Sequence, residues 1–577
     1  MRKLLISLVM IILLSVYVSC VFAKEAMTDK DRAKLGLALS LSGLKKYDES
    51  VKILKDLRKR FPGDKMIDVE LINSLYEAGM EKEAEKEVSG ILKEKLHDTK
   101  SALRLVVILG DRERYQEAIK ICDEALVEEP DNREVSLWLA RLLSWDGQYK
   151  RSLQVYTEII NKNQDWLEPR IEKARVLGWD HRYSASIKEY EDAFRQVKTS
   201  DETVRLEMAA KKNYYNGFDL IGIKEYRKWL ELEPDNLEAL FDLAQIYSRN
   251  MQWGKAGELY DRVLKIYPYH PWAKIALDKA KINSNSVSAE TGFEHYDASS
   301  ASRDIDEKYW DIYAKARAPI SENVYLSVRE DTILYQPSAA KSFQSQKTGV
   351  AIEYDKLPML SARAAYVFSA YTGQPKDSSN FNGEVNFKPS DMGLLTFLYK
   401  REDVEDNSRT LIRNLKRDDY KIRASIMPNR RLTFGSDYTY SRYTDNNEKF
   451  TYGGDIRSQI LFEPHSLSVT YRYEEYGYNK SRNYYFTPGS FHYNTMTVEW
   501  REFLNKILFW GNNETYFSLK YAVNLDVHDQ VGHLFYADLH RDWNNRFSTH
   551  LEWSKKIYDH RDIYGEELVL AYGKLYF

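Results

Sequence analysis

The chain has 577 residues, a formal net charge of −3 and a mean hydropathy of −0.58. That length predicts several domains, and the near balance of 84 basic and 87 acidic residues predicts no nucleic-acid partner. No run of about 18 apolar residues follows the N-terminal segment, which excludes a mature transmembrane helix but not a barrel, whose strands each need only one apolar face.

A secretory signal is expected over residues 1–23. Arg2 and Lys3 give the positive start, and Leu4 to Val18 the apolar core. Val21-Phe22-Ala23 supplies the small or apolar residues a signal peptidase reads, so Lys24 is the expected start of the mature chain. Cys20 offers the alternative of a lipoprotein cut, against which Tyr17 counts in the place where Leu is usual. With Cys20 removed, Cys122 is the only cysteine, and neither an internal disulfide nor a cysteine-based metal site is possible.

Residues 24–282 read as a repeat array. The motif begins at Tyr47, Glu81, Tyr115, Tyr149 and Tyr183, each 34 residues after the last, and resumes after a two-residue slip at Asp219 and Trp253. Three residues on stand the small side chains Ser50, Ala84, Ala118, Ser152, Ser186, Gly222 and Ala256. A second small series, Ala38, Ala140, Ala174, Ala210 and Ala244, marks where paired helices cross closely, with Ile72 and Val106 as departures. Pro62, Pro130, Pro234 and Pro268 end the second helix of their units. Seven units over residues 31–267 are expected, closed by a capping helix over residues 271–282. Cys122 aligns with Tyr156, Tyr190, Tyr226 and Tyr260 and reads as a core filler; His270, between two prolines, reads as a packed histidine. The position five after the small residue reads Gly43, Glu77, Asp111, Trp145, Trp179, Tyr215, Arg249. The consecutive aromatics Trp145, Trp179 and Tyr215 form either a stacking ladder for sugar rings or partner side chains, or packing between repeats.

The helical period stops in the Asn- and Ser-rich stretch from Lys281 to Ser288, and residues 283–577 differ in kind. Of 43 tyrosines, 15 precede residue 283 and 28 follow, in a part of similar length. Apolar and polar residues alternate, as in Leu467, Val469, Tyr471 and Tyr473 against Ser468, Thr470, Arg472 and Glu474. About sixteen such segments are expected, each long enough for a tilted strand to cross a bilayer. They lie near residues 286–298, 306–318, 322–336, 345–356, 359–371, 379–388, 391–402, 411–427, 430–443, 448–462, 466–478, 492–503, 514–526, 531–543, 546–557 and 566–577. Tight turns such as Lys388-Pro389-Ser390-Asp391 and Met427-Pro428-Asn429-Arg430 follow every second segment, and longer polar loops the others. The stretch Leu504 to Asn513 breaks the rule by being long. An even strand count returns both ends of the barrel to one side.

The faces expected to point inward carry both signs. The candidate lumen-lining residues are Arg317, Arg329, Arg363, Arg423, Asp437, Arg457, Arg472, Glu474, Glu499, Arg501, Lys520, Asp538 and Glu552, with Lys315, Glu353, Glu384 and Asp455 beside them. Such charges require water or a partner charge; they either line a polar conduit for a hydrated polymer or brace the wall. No phosphate-cradling glycine loop, paired-histidine zinc helix or nucleophile elbow is present, and Asp559-His560-Arg561-Asp562 matches a kinase triplet without its supporting motifs. No enzyme activity, cofactor or metal is expected.

Arg114-Tyr115-Gln116-Glu117-Ala118-Ile119, running on to Glu129-Pro130-Asp131-Asn132, resembles a tetratricopeptide repeat, which implies an α-solenoid. The last strand, ending on Phe577, resembles the closing strand of outer-membrane barrels, which the barrel assembly machinery reads. The order of signal, repeats and barrel resembles the outer-membrane porins that export exopolysaccharide, of the poly-N-acetylglucosamine, Pel and cellulose systems, the short array fitting the cellulose type least. The fold expected is thus multidomain α + β, a tetratricopeptide solenoid followed by a transmembrane antiparallel β-barrel of about sixteen strands in the outer membrane. The resemblance implies a periplasmic array that docks polysaccharide-modifying or synthase components and guides the glycan, and a lipid-embedded barrel that passes it outward. The alternative is a scaffold that recruits periplasmic proteins, with a barrel that only anchors.

Overall fold

The computed structural model describes residues 27–577 except 95, 97, 198–200, 271, 301–304, 322, 338–340, 357–358, 374, 406–407, 463, 506–512 and 560–563. The expected signal with Cys20, the middle of the Leu504–Asn513 connection and His560 to Asp562 lie outside the described residues. So do Glu322, Leu357, Pro358 and Glu463 of the expected turns.

Among the described residues, fifteen helices come first: α1 (Asp29–Gly43), α2 (Tyr47–Arg60), α3 (Lys65–Glu77), α4 (Glu81–Ile91), α5 (Thr99–Asp111), α6 (Tyr115–Glu128), α7 (Arg133–Trp145), α8 (Tyr149–Lys162), α9 (Leu167–Trp179), α10 (Tyr183–Val197), α11 (Glu202–Asn216), α12 (Asp219–Leu232), α13 (Leu237–Arg249), α14 (Trp253–Ile266) and α15 (Ala273–Asn285). They make seven pairs and a closing helix. Capping differs systematically within a pair. The first helix is opened by an Asx side chain at Asp64, Asp98, Asn132, Asp201 and Asn236, which accepts the N–H groups the first turn leaves unpaired. The second helix starts at Lys46, Met80, Arg114, Gln148, Phe218 or Gln252 without a side-chain cap bond.

By packing, the chain divides at Leu177/Gly178 into two compact units. The first is all helical. Its core holds Leu54, Leu57, Ile67, Leu71, Leu75, Leu105 and Leu142, all fully buried. The small residues set the helix spacing: Ser50 and Ser152 are fully buried, and their hydroxyls donate to the carbonyls of Ala38 at 2.9 Å and Ala140 at 2.7 Å. A serine thus replaces alanine at the crossing without an unpaired hydroxyl. Cys122 is buried in this core, and burial pushes its thiol up to about 12.

The second unit, Gly178–Phe577, contains the last helices and the sheet. Helix gives way to strand between Asn285 and Ser288. His270 stacks on Phe241 at 4.7 Å and accepts the Ala273 N–H at 3.2 Å, so it closes the entry to α15; burial pushes it down to about 4. The strands are β1 (Ser288–Ser300), β2 (Ile305–Ser321), β3 (Val324–Pro337), β4 (Phe343–Lys356), β5 (Leu360–Tyr371), β6 (Ser378–Ser390), β7 (Gly393–Asp403), β8 (Lys416–Asn429), β9 (Leu432–Tyr443), β10 (Glu448–Leu461), β11 (His465–Tyr478), β12 (Phe491–Phe503), β13 (Thr515–Asp526), β14 (Val531–Asn544), β15 (Phe547–Asp559) and β16 (Tyr564–Tyr576). Each pairs antiparallel with its chain neighbours, and β1 pairs with β16 from Ser288↔Tyr576 to Ser300↔Tyr564, so the barrel is closed and has no free edge. Phe577 lies just past β16, its N–H donating to the Val287 carbonyl at 2.9 Å.

One expected strand is corrected. The eighth does not start at 411: Ser408–Ile412 forms a short helix, α16, and β8 begins at Lys416. Local bonds favour the helix there. The Thr410 hydroxyl donates to the Val404 carbonyl at 2.6 Å, and the Leu415 N–H to the Thr410 carbonyl at 3.0 Å. Leu411 is buried in the loop, and Val404 and Leu415 bury against Tyr443 and Tyr485. Its apolar side chains therefore pack within the loops instead of continuing a strand.

Candidate functional site

Strand alternation sorts the wall into two faces. On one face large apolar side chains are left bare: Ile312 is 62% exposed and Ile352 53%, with Phe397, Ile422, Leu519 and Leu551 among others. A closed barrel with such an outer band is the architecture that spans a membrane with strands. Near the long-loop rim the same face carries a belt of rings, with Tyr399–Tyr420 at 5.2 Å, Tyr420–Tyr440 at 6.2 Å and Tyr440–Phe450 at 5.4 Å. Amphipathic rings favour that interface.

The opposite face is polar, and its charges are tied together across strands. The centre of one group is Asp437 on β9, 5% exposed. Arg423 on β8 donates to it at 2.9 Å and also reaches Asp455 on β10 at 2.7 Å. Arg472 on β11 donates to Asp437 at 3.0 Å, to Asp455 at 3.2 Å and to Glu474 at 2.6 Å. Glu474 also accepts the Tyr493 hydroxyl at 2.6 Å. Gly453 makes this convergence possible, because a Cβ there would run into the Arg472 guanidinium and the Asp437 carboxylate.

Two further groups hold most of the remaining candidates. Arg317 pairs with Glu353 at 2.7 Å and Asp355 at 3.3 Å, while Arg363 stands 3.9 Å from Glu353. Arg329 pairs with Asp331 at 2.6 Å and lies over the Tyr313 ring at 4.1 Å. Around the other side, Glu499 faces Arg457 at 3.7 Å and Arg501 at 3.6 Å. Arg501 donates to Ser518, and Ser518 to Asp538 at 3.3 Å. His550 stands 3.2 Å from Asp538 and 3.8 Å from Glu552. Lys520 sits over the Tyr536 ring at 4.6 Å. These arginines, aspartates and glutamates therefore act on one another as wall braces as well as offering polar groups inward.

Sequence reasoning missed the part of the interior under the β7–β8 connection. There a cavity of about 900 Å³ runs from Glu294 on β1 to Arg417 on β8, with Asp311, Asp331, Asn380 and Asn382 among its lining. Glu405, just past β7, pairs with Lys347 on β4 at 2.6 Å and accepts the Tyr335 hydroxyl of β3 at 3.4 Å. Glu405 thus reaches from the start of the connection toward strands three and four places away. The only local signal was the Asp- and Asn-rich run at residues 403–407, which reads as any polar loop.

The aromatic candidates of the repeats are built into packing. Trp145 lies against Tyr115 at 6.3 Å and Trp138 at 6.1 Å. Trp179 meets Trp272 edge-on at 5.6 Å. Tyr215 is 6% exposed and lies tilted against Tyr183 at 4.7 Å, with Gly178 so close that a Cβ there would overlap its hydroxyl. Of the two alternatives for Tyr215, a ring face for a ligand or packing between repeats, its burial is that of packing: the missing side chain at Gly178 lets the ring into the core.

Residues 26–64, 111–175 and 225–258 match models of the tetratricopeptide repeat. No curated protein matches the chain. Among solved structures it is similar to a bacterial polysaccharide outer membrane secretin, at 12% identity over 51% of this chain and 99% of that one, with a TM-score of 0.42. It is similar to a tetratricopeptide repeat protein from Parabacteroides merdae, at 12% identity over 44% of this chain and 98% of that one, with a TM-score of 0.36. OpdQ of Pseudomonas aeruginosa is similar at 11% identity over 51% of this chain and 99% of that one, with a TM-score of 0.28. None of these scores carries a functional inference. Fold and interior together define a porin-type barrel preceded by tetratricopeptide repeats. That combination fits an outer membrane, and it fits both a conduit and a scaffold.

Proposed function

We propose that the chain is an outer-membrane porin that exports an exopolysaccharide, its repeat array lying in the periplasm. The array docks modifying or synthase proteins and hands the glycan to the barrel. The observation that carries this reading is the polar interior of a closed sixteen-stranded barrel, wide enough for an aqueous lumen and holding a cavity of about 900 Å³. Its mixture of carboxylates, guanidiniums, amides and tyrosines suits a hydroxyl-rich chain that exchanges hydrogen bonds as it moves. A strain lacking the gene should lose secreted polysaccharide and regain it on complementation. Normal secretion without the gene would defeat the reading.

The second reading, a scaffold with an anchoring barrel, is favoured by the extent to which the interior charges pair with one another and by the Glu405–Lys347 pair at the cavity wall. It predicts unchanged polysaccharide and loss of a periplasmic partner from the membrane fraction of the deletion strain.

A further inference from the structure

Three turns on one rim of the barrel reach into the helices of the same compact unit. In the β6–β7 turn, Asp391 is 3% exposed. Its Oδ1 accepts the Leu220 N–H and its Oδ2 the Ile221 N–H, both at 2.8 Å. These are the second and third amides of α12, the donors that an N-cap side chain would satisfy. The N-cap residue Phe218 has no acceptor to offer. The neighbouring charge on Asp391 is Lys388, 3.6 Å away. In the β8–β9 turn, Arg430 donates to the Tyr215 carbonyl at 3.3 Å and lies over Tyr183 at 4.7 Å and over Phe462 of the next short turn at 4.4 Å. Near the β14–β15 turn, Asp542 pairs with Lys279 of α15 at 3.2 Å.

The covalent link between helices and sheet is short, with only Ser286 and Val287 between α15 and β1. Alone it would act as a hinge. Three anchors spread around the rim remove that freedom, and the capping carboxylate comes from 171 residues further along the chain.

We propose that the short-turn rim of the barrel is a docking surface for the last repeats, with Asp391 as a positioning residue that serves as the missing N-cap of α12. The end of the array is thereby a fixed part of the pore mouth, and α12 completes its first turn only against a closed barrel. This goes beyond the export reading and does not depend on it.

The test uses the full chain in detergent or lipid. In Asp391→Ala, amide exchange at Leu220 and Ile221 should rise about tenfold, as for loss of an N-cap. Adding Phe218→Ser supplies a local cap and should restore slow exchange. Spin labels on Glu231→Cys and Arg546→Cys should give a narrow distance distribution in the parent and a broad one in D391A/R430A. The broad distribution should persist in D391A/R430A/F218S, where the helix is capped but undocked. Unchanged exchange in D391A, or a narrow distribution in D391A/R430A, overturns the proposal. Both readouts are independent of transport, so normal polysaccharide secretion in a deletion strain would remove the export reading and leave the docking untouched.

Discussion

Lys211 on α11 gives the most demanding test of the repeat packing. It is 1% exposed, and its ammonium lies 2.7 Å from the Asp242 carboxylate and also contacts Glu238. Asp242 accepts a second bond, from the Tyr226 hydroxyl at 2.6 Å, and the nearby Tyr190 hydroxyl donates to Glu207 at 2.7 Å. Replacing Lys211 by Met keeps the bulk and removes the ammonium that bridges buried Asp242 and half-buried Glu238. Removing one partner of a buried pair costs about 3–5 kcal/mol. Glu238 retains some solvent contact, which places the expected loss near the lower bound, about 3 kcal/mol, or roughly a hundredfold in opening equilibrium. The pH dependence has a definite sign. In the parent, the two carboxylates hold the Lys211 ammonium above its ordinary value against the opposing effect of burial, so its contribution is complete at neutral pH and is lost only in alkali. Burial already raises Asp242 while Lys211 lowers it. Without the lysine, burial raises Asp242 further above its unfolded value, and the folded state takes up a proton there as pH falls. The deficit of K211M should therefore be large at pH 8 and shrink toward pH 5. Amide exchange across α11 to α13 in the full chain, corrected for intrinsic rates, measures it. Acceleration below about fivefold, or a deficit equal at both pH values, would show that Lys211 does not hold the two acids in the fold.

Two further predictions concern the pore wall and the array. Asp437→Asn should lower the barrel's unfolding free energy modestly, by about 1–2 kcal/mol, because Arg423 and Arg472 keep Asp455 and are partly open to the lumen; its reversal potential in a salt gradient should shift toward anions. Trp145→Ala and Trp179→Ala should each destabilise the array by about 3 kcal/mol, the low end for partly buried tryptophans, while leaving binding of any added glycan unchanged, as packing residues would; preserved stability with lost binding would restore the ladder.

How far the sequence could be read depended on whether a feature repeats locally. Ala140 and Ala174, and again Ala210 and Ala244, stand 34 residues apart because two backbones can approach only where a side chain is small, and each is fully buried. The strands were visible because alternation flips every side chain to the opposite face, and Pro389, Pro428 and Asn429 mark turns that Asp391 and Arg430 complete. What escaped was set by contacts between distant parts of the chain. Asp391 looks like any turn aspartate until Leu220 and Ile221 are beside it. Glu405 gains its role from Lys347, three strands away, and Leu411 mimics a strand residue while packing inside a loop. For the inward charges, alternation placed Arg472 and Asp437 on the polar face but carried no information about their pairing, which needs Gly453 beneath them.

Sixteen strands closed into a cylinder with lipid outside and water within should conduct ions, which single-channel recording of the purified full chain in planar bilayers reads. Discrete, ohmic conductance steps are predicted. A chain that inserts as a heat-modifiable barrel yet leaves the bilayer electrically silent would contradict it.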